Sequence, residues 1–153
     1  MGKSTIIPCL QYRNAHVAID WLCEAFGFER LLVHADARIV HHAQLVLEGG
    51  MVMLGSAADA PPCDGADKWH QRMVQPDQID DCETQSNCVI VSDPDAHYAR
   101  AVAAGAEILI DIADQEYGGR GYGCLDIEGH MWWFGSYDPW LGTADPAQGS
   151  SAP

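Results

Sequence analysis

Two adjacent histidines, His41 and His42, are the first candidates for chemistry in this chain. An imidazole can bind a metal ion or transfer a proton, so two of them on one face would make a chelating pair. They lie, however, in a run typical of a β-strand, where neighbouring side chains point to opposite faces of the sheet. We therefore expect one histidine to face a cavity and the other to face away, with His42 as the candidate for the cavity.

The adjacent residues Trp132 and Trp133 raise the same question, namely which of the two side chains points into a cavity. Strand alternation again separates the two rings. An indole facing a cavity supplies an apolar wall and a surface for stacking or for a cation–π contact with a ligand. The alternative is that both rings fill the core on opposite faces. Both interpretations stay open for Trp133, whereas core packing is favoured for Trp132.

A glycine-rich loop, residues 117–122, carries Arg120 and Tyr122. Such a loop cradles phosphate best when a helix N-terminus follows it, and here the pattern predicts a strand. Arg120 would pair with a ligand carboxylate at a cavity rim or with a neighbouring acid, and the second is the commoner outcome. The serine-nucleophile motif G-x-S-x-G and the zinc-site motif H-E-x-x-H are both absent from the sequence.

The net charge of the chain limits the classes of binding partner that it favours. Eight Lys and Arg against 22 Asp and Glu give a formal net charge of −14. This argues against nucleic acid and anionic membranes as partners and is compatible with a cationic ligand. The six cysteines form no C-x-x-C motif. With no apolar segment of signal-peptide or transmembrane type, we predict a cytoplasmic, reduced protein.

A near-repeat indicates how these residues are positioned. Residues 48–56 return as residues 128–136 with five identities, and a helical pattern precedes each copy. We infer one structural unit used twice within a single domain. The predicted domain covers residues 1–140, with units at about 5–55 and 87–137 joined by 56–86, and a polar tail at 141–153.

Hydrophobic periodicity predicts a βαβββ order in each unit. In the first unit, Pro8 favours an edge position for the first strand, Asn14 caps the helix, and Gly27 ends it. In the second, we expect Asp95 to cap a helix whose buried stripe includes Tyr98, Ala101 and Val102. The predicted strands are 6–12, 29–34, 40–47, 51–55, 88–91, 107–112, 121–127 and 131–137. Residues 56–86 are predicted to be a linker or a lid, with a short helical or lid segment at 69–73.

Two stretches resemble a known superfamily. Residues 18–28, AIDWLCEAFGF, resemble a helix of the vicinal oxygen chelate superfamily, which contains glyoxalases, bleomycin-resistance proteins and extradiol dioxygenases. Residues 117–122 with 126–135, DIEGHMWWFG, are similar to the signature of its glyoxalase/bleomycin-resistance-like branch, although Ile127 replaces the usual Pro. The resemblance covers residues 6–140 and implies an α+β fold, in which tandem βαβββ units form curved mixed sheets around a cavity.

Enzymes of this superfamily hold a divalent metal with one residue from the first strand and one from the fourth strand of each unit. Carried over by position, these sites fall at Ile7, Met53, Asn87 (or Cys88 for a register one residue later) and Trp133. Side chains without lone pairs, and a thioether that suits only soft metals, make a poor site for a hard cation. We therefore predict no cofactor. A divalent metal would bind only if the predicted strand register were wrong and His42, Gln44 or His130 supplied a ligand.

The resemblance thus implies a metal-free small-molecule-binding protein, like the drug-sequestering bleomycin-resistance proteins that act in antibiotic resistance. The ligand is expected to be cationic or aromatic, and the protein a homodimer. We expect a cavity or dimer groove lined by Trp133, Met53, Ile7, Asn87, His42, Arg120 and Tyr122. A metal-dependent lyase, isomerase or dioxygenase is the alternative, and a metabolite-binding protein without chemistry is a third, so catalysis stays open.

Overall fold

The computed structural model describes residues 4–57 and 72–141, which contain two units of βαβββ order. The first unit comprises β1 (Cys9–Tyr12), α1 (Ala15–Phe26), β2 (Glu29–Ala35), β3 (Val40–Leu47) and β4 (Gly50–Ser56). The second comprises β5 (Asn87–Ile90), α2 (Pro94–Ala103), β6 (Glu107–Asp114), β7 (Arg120–Leu125) and β8 (Met131–Gly135). Between the units, Pro76–Gln78 forms one 3₁₀ turn. Residues 69–71 of the predicted helical or lid segment at 69–73 lie outside the described residues. Residues 142–153 of the predicted tail at 141–153 also lie outside them.

Each unit forms one four-stranded mixed sheet. The strand orders are β1-β4-β3-β2 and β5-β8-β7-β6. The first strand of each unit pairs in parallel with the last strand, and the other pairs are antiparallel. β1 is an edge strand, as expected from Pro8, although the ladder begins at Cys9 rather than at residue 6. The predicted α+β fold with tandem mixed sheets is confirmed.

Helix α1 begins and ends as its sequence predicts. The side chain of Asn14 accepts a hydrogen bond from the backbone N–H of Val17, and Gly27 follows the last turn in a left-handed conformation with φ of 81°. The face predicted to be buried packs into the core, with Leu22 and Phe26 fully buried. The same face therefore positions β1 and β4 against the helix.

Helix α2 begins earlier than predicted. Asp93, not Asp95, is the N-cap, and its Oδ1 accepts the N–H of Ala96 at 3.0 Å. Pro94 occupies the first turn, where its missing N–H costs nothing, and this favours the earlier start. Val102 is 45% exposed, so its predicted place in the buried stripe was wrong, whereas Ala101 is fully buried.

One hydrophobic core serves both units. Buried side chains of the two helices pack with the inner faces of both sheets in a single cluster that includes Phe26, Leu54, Trp132 and Phe134. Consequently each sheet has one face turned to the shared core and another turned away, the open face. Neither described helix is long and apolar enough to cross a membrane.

Candidate functional site

Strand register decides which residues lie on the open faces. Met53 pairs with Cys9 in the first sheet, and Trp133 pairs with Cys88 in the second. Paired residues on adjacent strands share a face, and the neighbours of Met53 and Trp133 along each strand are buried in the core. Met53, Trp133 and their cysteine neighbours therefore occupy equivalent open-face positions in the two units.

This register changes two of the predicted site positions. Asn87 pairs with Trp132 and is buried on the core side, so the residue beside Trp133 is Cys88. Ile7 lies before β1, and Cys9 is the strand residue opposite Met53. A shift of one residue moves a side chain to the other face of a sheet, which is why Asn87 was misplaced.

One cavity among the described residues belongs to the first unit. Its volume is about 910 Å³, and β1, β3, β4 and the turn between β2 and β3 form its walls together with Met73. A smaller depression of about 450 Å³ lies in the second unit beside Leu125 and Met131. Met53 lines the first cavity but Trp133 does not. The structure therefore does not bring these two residues into one cavity within a single chain.

Both adjacent histidines line the first cavity, which corrects the expectation that only one would. The pairing of β2 with β3 shifts at this point: His34 pairs with His42 and Ala35 with Val40, leaving His41 as an extra residue. Such a bulge interrupts the pattern in which successive side chains point to opposite faces of the sheet. Nε2 of His42 lies 3.1 Å from the amide nitrogen of Gln44, and His41 lies 3.2 Å from a carboxylate oxygen of the turn.

That carboxylate belongs to Asp36, which organises the turn between β2 and β3. Its Oδ1 accepts the backbone N–H groups of Arg38 and Ile39, each at 2.8 Å, and its Oδ2 faces His41. These backbone hydrogen bonds, with a smaller contribution from His41, lower the pKa of Asp36. The turn therefore places Arg38 and His41 at the cavity.

Gln11 is a cavity residue that the sequence reasoning missed. It pairs with Gly55, and so shares the open face with Cys9 and Met53. Only 8% of Gln11 is exposed, and among the described residues its Oε1 has no hydrogen-bond partner. The available signal was its strand position two residues after Cys9, because alternate residues share a face.

Trp133 lies flat on the open face of the second sheet. A Cβ added at Gly123 would come within 2.9 Å of the ring carbon Cζ3 of Trp133, so the indole rests where β7 has no side chain. Trp132 is fully buried, and its indole N–H donates to Asp126 at 3.0 Å. The core interpretation is therefore correct for Trp132, while Trp133 occupies an open face.

Arg120 and Tyr122 do not line the cavity. Nε of Arg120 donates to Oδ2 of Asp95 at 2.9 Å, and Nη1 donates to Asp114 at 3.2 Å. Arg120 thus pairs with neighbouring acids, the commoner of the two outcomes weighed from the sequence. Tyr122 is 2% exposed and lies in the core. Alternation along β7 turns it inward, away from the open face where the predicted ligand site was expected.

Tyr122 is instead part of a buried hydrogen-bonded chain. Nε2 of His97 donates to the carbonyl oxygen of Phe26 at 3.0 Å, and Nδ1 accepts the Tyr122 hydroxyl at 2.7 Å. Burial lowers the pKa of His97, which favours this neutral tautomer. The chain connects α2 to the end of α1 and to β7 within the core.

His130 is also engaged at both ring nitrogens. Nδ1 contacts Oε1 of Glu83 at 2.6 Å, and Nε2 contacts the carbonyl oxygen of Gln11 at 3.0 Å. Burial by itself lowers the pKa of His130, but the hydrogen bond to Glu83, the charge of Asp126 and the bond to Gln11 outweigh it and raise the pKa. A doubly protonated ring with both N–H groups in use has no lone pair for a metal.

The residues at the four family positions do not fit a hard divalent metal. Cys9 and Cys88 offer thiols, Met53 a thioether, and Trp133 no ligating atom. Burial raises the pKa of Cys88, which disfavours the thiolate that a metal needs. Within residues 4–57 and 72–141, His, Cys, Asp and Glu form no group of three or more that could hold a metal ion.

Comparisons with known proteins agree with this architecture. The model of the Glyoxalase/Bleomycin resistance protein/Dioxygenase superfamily matches residues 7–134. The uncharacterized protein Mb0911c of Mycobacterium bovis is 31% identical over 136 residues, covering 87% of this chain and 83% of that protein. Two solved structures extend the comparison.

TioX from Micromonospora sp. ML1 is 33% identical, with a TM-score of 0.65 over 86% of this chain and 97% of that chain. The fosfomycin resistance protein FosX from Listeria monocytogenes is 11% identical, with a TM-score of 0.61 over 92% of this chain and 98% of that chain. At that identity the likeness to FosX concerns the fold alone.

Proposed function

Because this chain belongs to the glyoxalase/bleomycin resistance protein/dioxygenase superfamily, we propose that it is a metal-free protein that binds a small molecule on the open faces of its sheets. The observation that carries this proposal is the residue pair at the two fourth-strand positions. Met53 stands in one sheet and Trp133 in the other, where a metal-using relative needs oxygen or nitrogen ligands. Both side chains suit contact with an apolar or aromatic ligand.

We further propose that the ligand groove is completed by a second copy of the chain. Every residue of β2 is exposed, including Leu31 at 60% and Leu32 at 48%, and Leu109 and Ile110 of β6 are also about half exposed. Exposed apolar side chains on edge strands favour association. In a two-fold dimer, the first-unit cavity of one chain would face the Trp133 surface of the other. Light scattering at micromolar concentration tests this, and a clean monomer contradicts it.

Tryptophan fluorescence tests the binding function. A broad panel of anionic, cationic and neutral aromatic compounds is titrated while emission is followed. We expect a saturable change with at least one compound, reduced in a Trp133→Phe variant. Trp21→Phe is the matched control, since the indole of Trp21 donates to the carbonyl oxygen of Ala104 and lies away from both open faces. If no compound gives saturation, the binding function is rejected.

A metal-dependent lyase, isomerase or dioxygenase is the second candidate, and one observation favours it. His42 and Gln44 lie side by side on β3, and Gln44 pairs with Met53 on the open face. Metal analysis of the purified protein distinguishes the candidates. A stoichiometric divalent ion that is lost in His42→Ala would replace the metal-free proposal with this one.

A further inference from the structure

The first-unit cavity does not share the acidic excess of the whole chain. The chain carries 22 acidic residues and eight Lys or Arg. Among the described residues that line the cavity, Arg13, Arg38 and Asp36 carry full charges, and Arg13 is already paired with Asp77 at 2.7 Å. The local charge of a concave site can attract anions even when the protein as a whole is acidic.

The one acid is already occupied by the turn that contains it. Oδ1 of Asp36 accepts two backbone N–H groups and Oδ2 faces His41, so its charge serves the turn between β2 and β3. The guanidinium of Arg38, in contrast, has no hydrogen bond or ion pair with the described residues. A guanidinium in a cavity wall is a donor for a carboxylate, which it can bind through two parallel hydrogen bonds.

A second, independent observation concerns the side-chain amide of Gln11, which also lines the cavity. Gln11 is more than nine-tenths buried, lines the cavity, and leaves Oε1 without a partner among the described residues. A buried acceptor without a donor is unfavourable, and native proteins rarely leave one. A ligand that brings an O–H or N–H group to this oxygen would satisfy it.

Part of the remaining wall is apolar, beside the polar residues His41, His42 and Ser56. Ile39 and the two methionines Met53 and Met73 line this apolar part. Methionine side chains adapt their shape to different apolar partners. A ligand with an apolar body fits this part of the wall.

We propose that the first-unit cavity binds an organic acid, whose carboxylate meets Arg38, whose hydrogen-bond donor meets Oε1 of Gln11, and whose body is apolar. This rests on the proposed binding function and reverses the cationic ligand expected from net charge. Arg38 and Gln11 determine specificity, because an amine would face a guanidinium and a ligand without a donor would leave Oε1 unpaired.

Methionine-methyl NMR of the full chain tests the proposal with three probes. These are 4-hydroxybenzoate, benzoate without the hydroxyl, and 4-hydroxybenzylamine with the opposite charge. The five methionines give few signals: Met53 and Met73 report on the cavity, and Met131 reports on the second-unit depression. We expect 4-hydroxybenzoate to shift Met53 and Met73 only, and to bind about tenfold more tightly than either other probe.

Two variants separate the contacts. Arg38→Gln should weaken 4-hydroxybenzoate about tenfold and remove the preference over the amine. Gln11→Leu should remove the preference over benzoate. Arg30→Gln is the matched control, since Arg30 pairs with Asp20 and lies outside the cavity wall. Because Arg38 is an exposed turn residue, its variant tests the proposal even if Gln11→Leu does not fold.

The outcomes separate this inference from the binding function. Equal or tighter binding of the amine, or equal losses in the Arg30 and Arg38 variants, overturns the organic-acid assignment. If no probe shifts Met53 or Met73 while cationic or neutral compounds saturate the fluorescence response, the assignment also fails and the binding function survives. If no compound binds in either experiment, both fail.

Discussion

The hydroxyl of Tyr12, at the end of β1, donates a 2.6 Å hydrogen bond to Oδ2 of Asp126, in the turn before β8. The same oxygen accepts the indole N–H of Trp132, and Oδ1 accepts the backbone N–H groups of Glu128 and His130, each at 3.0 Å. Four donors thus satisfy one buried carboxylate. The D-x-E-G-H segment, residues 126–130, therefore joins the two units, which explains why it marks the fold rather than an activity.

Removing the Tyr12 hydroxyl should destabilise the protein. Tyr12→Phe takes one donor from the buried carboxylate of Asp126, and a lost hydrogen bond to a buried charged group costs about 1–3 kcal/mol. Urea unfolding measures the loss. Tyr98→Phe is the matched control, because the Tyr98 hydroxyl donates to Asp111 at the surface, where water replaces it. Equal losses in the two variants would contradict the joining role of Asp126.

The contact between Glu83 and His130 should make stability depend on pH. The pKa of His130 is raised in the folded protein, so its contribution is complete below the unfolded value of about 6.5 and is lost as pH rises through the folded value. Glu83→Gln should therefore cost about 1–3 kcal/mol at low pH and less at high pH. A constant part remains, because Glu83 also accepts the N–H of Met131.

Unfolding free energies measured between about pH 5.5 and pH 9 give this difference directly. Glu128→Gln provides the control. The Glu128 carboxylate accepts the backbone N–H groups of Arg13 and Asn14 at 2.7 and 3.2 Å and contacts no histidine among the described residues, so its loss should be independent of pH over this range. A Glu83→Gln difference that stays flat or grows with pH would rule out a charged His130.

Gly123 should control the position of the Trp133 ring. In Gly123→Ala, the new Cβ would stand 2.9 Å from Cζ3 and 3.0 Å from Cε3 of Trp133, so the ring must move. We expect a shifted tryptophan emission and a weaker ligand response with little loss of stability, because a side chain rather than backbone gives way. Gly50→Ala is the control, since its nearest atom is 3.5 Å away. An unchanged emission spectrum would show that the indole does not rest on β7.

Arg120 should not contribute to ligand affinity. Its guanidinium already pairs with Asp95 and Asp114. Arg120→Gln is expected to change ligand affinity less than about twofold and to change stability only slightly, because exposed ion pairs contribute little. Ligand titrations of the Arg120→Gln and Trp133→Phe variants, measured side by side, compare the two changes in affinity. A loss in Arg120→Gln as large as that in Trp133→Phe would return Arg120 to the ligand site.

Signals that are local in sequence were sufficient for most of the fold. The cap at Asn14, the end of α1 at Gly27 and the alternation in β4 and β8 act over a few residues, so each could be recognised alone. The repeat at residues 48–56 and 128–136 then indicated that one structural unit is used twice in the chain. The start of α2 was missed because Asp93 and Asp95 are both good caps, and Pro94 decided between them.

The site was harder to predict, because the face of the sheet to which a side chain points depends on strand register. One residue separates the buried Asn87 from Cys88, and one bulge at His41 brings both histidines to the cavity. Gln11 was overlooked for a related reason: its place beside Gly55 is a property of the parallel pairing of β1 with β4. No local pattern marks a buried amide oxygen that lacks a partner among residues 4–57 and 72–141.

The sequence alone determined the duplicated βαβββ architecture and the residue types at the fourth strands, because periodicity and residue chemistry are carried by neighbouring positions. Only the tertiary structure decided that Asp126 and His130 join the units, that Arg120 and Tyr122 lie away from the cavity, and that Arg38 and Gln11 line it. Those facts depend on contacts between residues far apart in the chain, and such contacts form only when both sheets pack on one core.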